Sequence, residues 1–154
     1  MIDEIGNRCD LINAKYFRSH DYLYVVMQIM DISLNNIELL KHVVDDYQQT
    51  LLEIKCKLIN SVVCLLKLNY YHNDIYDSNV LLSFNDDGIT VLLGNMDSMQ
   101  RIDVDTKTDY VSILERCFLK IAQLVENTPI IDTFISEFNN TDEIIERIQD
   151  YCRA

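Results

Sequence analysis

The side chains best equipped for chemistry lie in one polar stretch, His72-Asn73-Asp74-Ile75-Tyr76-Asp77-Ser78-Asn79, which runs straight into the apolar Val80-Leu81-Leu82. An Asp carboxylate can take a proton from a hydroxyl, and an Asn side-chain oxygen can ligate a hard divalent cation. The spacing is H-x-D, with an Asn five residues after the Asp. Three fixed polar residues recur by chance, so the weight falls on the elements around them. Elsewhere the chemistry thins out. His20 and His42 have no companion at metal-ligand spacing. The five cysteines, Cys9, Cys56, Cys64, Cys117 and Cys152, are dispersed without a C-x-x-C pair. They read as reduced core thiols, neither a zinc site nor a nucleophile.

The elements that must position the polar stretch follow from hydrophobic pattern. Tyr22 to Met30 (YLYVVMQIM) is β-branched and aromatic and predicts one or two strands ending at Asp31. A loop through Asn35 and Asn36 leads to a short helix. Residues 48–69 then carry the strongest helical pattern, with Leu51, Ile54, Leu58, Val62 and Leu65 covering more than one face. A helix apolar on so much of its circumference is central in its domain. After the polar loop, VLLSF and ITVLL flank the turn residues Asp86-Asp87-Gly88 and predict a hairpin. Residues 106–154 read as helices. The first has Ile113, Leu114, Cys117, Phe118, Ile121 and Leu124 or Val125 on one side, the second opens at Thr128-Pro129, and the last at Thr141-Asp142. The expectation is one α+β domain over 1–154, mainly helical, with 1–21 as an N-terminal extension.

Composition narrows the classes. Half the chain is apolar and a quarter charged, ordinary globular values at a length that buries a real core. The net charge of −12 argues against nucleic acid as a partner, because that affinity comes from neutralising phosphates. No apolar run reaches membrane-spanning length, and MIDEIGNRCD lacks the regions of a signal peptide. A cytoplasmic, reducing location without membrane association is expected.

In this setting the segment from His72 resembles the catalytic loop of protein kinases, H-R-D-x-x-x-x-N. Leu93-Gly94-Asn95-Met96-Asp97 closes the hairpin where kinases carry Asp-Phe-Gly. Asp109-Tyr110-Val111-Ser112 opens a helix in the manner of the kinase helix whose Asp braces the catalytic loop, and residues 22–31 fit the strand entering the hinge between lobes. The resemblance covers roughly residues 22–125 and implies a kinase C-terminal lobe in which residues 70–97, with their small hairpin, carry a catalytic-loop remnant. It puts Asp74 at the base position, Asn79 at the metal-binding Asn and Asn95 at the metal-binding Asp, with ATP and Mg²⁺ as cofactors of an active form. The HND variant is shared with small-molecule kinases and some kinases of large DNA viruses. The shortened, Asn- and Ile-rich chain favours a viral source.

Departures from the family pattern weigh more than the matches. Only 21 residues precede Tyr22, with no G-x-G-x-x-G loop and no V-A-I-K lysine. Asn95 replaces an anionic metal ligand by a neutral one. Asn73 stands in place of the Arg that reads a phosphorylated activation loop, and Tyr76 in place of a Lys near the transferred phosphate. Thirteen residues between Asn95 and Asp109 are too few for an activation segment. Phosphoryl transfer asks a protein mainly for positioning and charge stabilisation, and those parts are the ones missing.

Two readings stand for each site residue. Asp74 is a surviving base or, as favoured here, a brace for its loop. His72 braces the turn at Asn95–Asp97 rather than moving protons. Asn79 holds a metal or bonds backbone, Asp97 is a ligand shifted by two residues or a turn residue, and Asp109 is structural. The leading expectation is a degenerate kinase-like protein that needs no cofactor and acts by binding a protein, either a genuine kinase or a second copy of itself. The alternative is a minimal ATP-dependent phosphotransferase using Asp74 and Asn79.

Overall fold

The computed structural model describes residues 9–12 and 14–102 and, beyond them, residues 113, 116, 117, 119–121, 123–125, 142, 143, 146 and 150. Its organising element is α1 (Tyr47–Lys67), the longest helix described. Asp46 caps it, its carboxylate accepting the Gln49 N–H at 3.0 Å and so satisfying one of the orphan donors of the first turn. Ile54, Leu58, Ile59 and Leu65 are fully buried on it, together with Leu40 and with Ile121 of a later helical stretch.

Among the described residues, seven strands accompany this helix in three antiparallel sheets. Strands β1 (Ala14–Ser19) and β2 (Tyr22–Met27) form a hairpin through His20-Asp21. Strand β3 (Ile32–Ser33) pairs with β5 (Val80–Asn85), which pairs in turn with β6 (Gly88–Leu93). Gly88 closes that turn at φ 122°, a conformation natural only to glycine. Strand β4 (Tyr70–His72) pairs with β7 (Met99–Arg101). Helix α1 packs against β4, which enters the polar loop, and against β6, the partner of the strand β5 that leaves it.

Two expectations are corrected. The domain is not mainly helical: three antiparallel sheets stand beside the helices among the described residues. Strands β3, β4 and β7 have only two or three residues each, too few to show an alternating pattern, and β1 lies inside the segment read as an extension. Nor are all cysteines reduced. Cys9 and Cys64 form a disulfide, with their Cα atoms 5.5 Å apart, the ordinary span of such a bond. It ties the chain before β1 to α1. Among the described residues no helix is long and apolar enough to cross a membrane. Asp109, Cys152 and the capping pair Thr128-Pro129 lie outside the described residues.

Candidate functional site

The polar loop is held from behind by His72, the last residue of β4 and 3% exposed. Its Nε2–H donates to the Gly94 carbonyl at 2.7 Å, while Nδ1 accepts the Asp74 N–H at 3.2 Å. One ring nitrogen donates and the other accepts, which is the pattern of a neutral imidazole. Burial pushes the His72 pKa below its usual value, opposed by the Gly94 hydrogen bond and by the Asp74 charge. Gly94 in turn donates its N–H to the Asn79 carbonyl at 2.7 Å. A side chain at Gly94 would bring Cβ to 3.3 Å from Leu81 Cδ1, so the turn sits close against β5.

In front of this brace three side chains converge. Asn79 Nδ2 donates to the Asp74 backbone carbonyl at 2.8 Å and to Asp74 Oδ2 at 2.9 Å. Asn95 Nδ2 donates to the same Oδ2, also at 2.9 Å. Asn95 reaches it from a left-handed backbone, φ 59° and ψ 60°, which Asn tolerates better than most residues. The triplet Asp74, Asn79 and Asn95 is thus a closed network in which one carboxylate oxygen is clamped by two amides.

Beside the network opens a cleft of about 370 Å³, walled by Asn79, Asn95, Asp97, Leu81 and Met96 and covered by Ala14, Tyr16, Val25 and Met27. The hairpin β1–β2 therefore supplies a roof, which the lack of a Gly-rich loop had argued against. Asp97 is the one charged residue among the described walls, and no Lys or Arg lines them. Phosphate groups entering here would meet the Asp97 carboxylate without a compensating cation among the described walls. The donor set suits Mg²⁺ poorly, since two of its candidate ligands turn their amide nitrogens to the carboxylate that a metal would need. Among the described residues no three His, Cys, Asp or Glu side chains gather into a metal site. What the arrangement does well is fix a loop.

The remaining candidates lie apart. Tyr76 is half exposed and, with Asn73, borders a second concavity on the far side of the loop, of about 170 Å³. Its other wall carries Arg116 and Lys120, which the sequence reading passed over; their i, i+4 spacing on a helix beside Cys117 was the available signal. The roof residues Ala14 and Tyr16 were also missed. The outer face of the hairpin presents Phe17, Tyr22, Tyr24 and Val26, each between 52% and 69% exposed.

No protein-family model and no curated protein matches the sequence. Solved structures do match. A structure of vaccinia related kinase 3 superposes with a TM-score of 0.54 at 14% identity, over 95% of this chain and 53% of that one. At that identity the likeness concerns the fold alone: the chain has a protein-kinase-like fold and spans about half the length of the kinase that it matches.

Proposed function

We propose that the chain is a pseudokinase corresponding to a kinase C-terminal lobe with one hairpin of the upper lobe, and that it acts by binding another protein. The observation that carries this reading is the β1–β2 hairpin. Every residue of β2 is exposed, and large apolar side chains stand on both of its faces. An exposed, apolar two-stranded sheet whose edges pair with no other described strand is an invitation to pair with further strands. In a kinase-like fold such strands belong to the upper lobe, so the partner we propose is a genuine protein kinase or a second copy of this chain, whose strand adds to the edge. With a net charge of −12 the partner is not nucleic acid. No cofactor is required.

The test mixes the purified chain with a panel of active protein kinases and reads complex formation by sedimentation beside kinase activity. Tyr24→Lys and Val26→Lys, on the outer face, should abolish association while leaving thermal stability unchanged. Association unaffected by both substitutions, or neither self-association nor kinase binding at micromolar concentration, would sink the reading.

A second reading has its own observation: Asn79 and Asp97 line one cleft, and Asn79 is hydrogen-bonded to the Asp74 carboxylate beside it. On that reading the chain is a minimal phosphotransferase using ATP and Mg²⁺, with Asp74 as base. Thermal unfolding with ATP decides it. Saturation at about a hundred times Kd adds about 2.7 kcal/mol of stability. A rise of at least about 5 °C would follow for a domain of this size. Such a rise, dependent on Mg²⁺ and lost in Asn79→Ala, would favour catalysis; no shift at millimolar ATP would remove it.

A further inference from the structure

The second concavity differs from the cleft in the sign of its charge. Arg116 and Lys120 stand one helical turn apart on the face that also carries Ile113 and Cys117. Like charges at this spacing repel and weaken a helix. Neither cation forms an ion pair with a described residue, although the chain holds 25 carboxylates against 13 Lys and Arg. No carboxylate lines the concavity among the described residues. Asp74, which lies between the lining residues Asn73 and Ile75, has its Oδ2 clamped by Asn79 and Asn95. Burial pushes the Cys117 thiol up to about 11, so it contributes no negative charge beneath the two cations.

The opposite wall adds Asn73 and Tyr76, an amide and a phenol with neutral donors. Lys120 Nζ sits 4.9 Å from the centre of the Tyr76 ring, which holds the ammonium at the mouth rather than in solution. Tyr71 and Ile75 make the floor apolar. Two cations with two neutral donors offer more than a carboxylate can accept and match the charge and oxygens of a phosphate monoester.

We propose that this concavity, between the loop at Asn73–Tyr76 and the helical face of Arg116 and Lys120, binds a phosphorylated serine or threonine side chain of a peptide. The cations take the phosphate, and the apolar floor takes the flanking peptide. The site is separate from the cleft, and the proposal holds whether or not Asp74 does chemistry.

The test is a titration of the full chain with a phosphoserine peptide of otherwise neutral sequence, followed by fluorescence anisotropy. Its unphosphorylated twin and inorganic phosphate serve as competitors. The phosphopeptide should bind with sub-millimolar Kd. Arg116→Ala and Lys120→Ala should each weaken it about tenfold, the worth of one charge-assisted hydrogen bond. Lys67→Ala, an exposed cation at the end of α1, should leave it unchanged. Backbone amide shifts in the wild type should move at Tyr71, Asn73 and Tyr76 and not at Asn79 or Asn95. Equal binding of the two peptides, no binding at millimolar peptide, or an equal loss in Lys67→Ala would overturn the site. Competition by inorganic phosphate as strong as by the phosphopeptide would overturn the peptide as its ligand.

Discussion

Asn95→Asp restores the anionic residue that a kinase would carry at this position, and the geometry says what it should do. Asn95 Nδ2 now donates to Asp74 Oδ2 at 2.9 Å. The substitution exchanges that donor for a second carboxylate facing the first. The backbone adds little, since Asp tolerates the left-handed conformation about as well as Asn. After the side chains turn apart to about 4 Å, the repulsion is about 1 kcal/mol at the dielectric of water and about 4 kcal/mol at an effective value of 20. Asn95 is exposed and Asp74 half-buried, which places the pair toward the lower figure. With the lost hydrogen bond included, the cost is about 2 kcal/mol, or about 4–8 °C in midpoint for a chain of this length. Asn95→Gly, which keeps the backbone conformation but adds no charge, should lose less than half as much. Thermal unfolding at pH 7 reads both variants. Adding Mg²⁺ at about 10 mM should recover part of the loss in Asn95→Asp and none in wild type. An Asn95→Asp variant as stable as wild type would refute the view that Asn95 replaces a metal ligand by a brace.

Three further outcomes follow from the same structure. The folded-state pKa of His72 lies below that of the unfolded chain, so its stabilising contribution is complete above about pH 6.5 and is lost as pH falls toward the folded value; urea midpoints between pH 7.5 and 5.5 should fall in wild type and fall less in His72→Gln. Removing the disulfide by Cys9→Ser with Cys64→Ser should cost about 2–4 kcal/mol in chemical denaturation, and a reductant should reproduce the loss in wild type alone. Gly94→Ala must displace Leu81 or the turn and should cost about 1–2 kcal/mol in the same assay, with the amide shifts of Asn79 and Asn95 reporting the movement.

The convergence of Asp74, Asn79 and Asn95 was legible because a short loop between β4 and β5 and a return strand β6 leave those positions little choice. The hairpin roof was not. Strand β1 reads AKYFRS with almost every residue exposed, so it lacks the contrast between buried and solvated positions by which strands announce themselves. The Cys9–Cys64 bond was hidden for another reason: 55 residues separate the two, and only the packing of the N-terminal segment on α1 brings them together. Arg116 and Lys120 were visible as letters. Their meaning depends on which wall faces them, and that is a property of the tertiary structure.

The way the hairpin is rooted has a mechanical consequence. On its leading side, Ile12 N–H donates to the Leu93 carbonyl at 2.8 Å, and Leu93 N–H donates back to Asp10 at 3.2 Å. On its trailing side, Asp31 receives Ser83 and the Phe84 N–H on β5. The first of these roots is adjacent in the chain to Gly94, whose carbonyl holds His72 and whose N–H holds Asn79. A load taken up at the tip near His20 is therefore delivered, through four hydrogen bonds and one covalent step, to the joint on which the Asp74 loop turns. The hairpin is a lever with its fulcrum at the site.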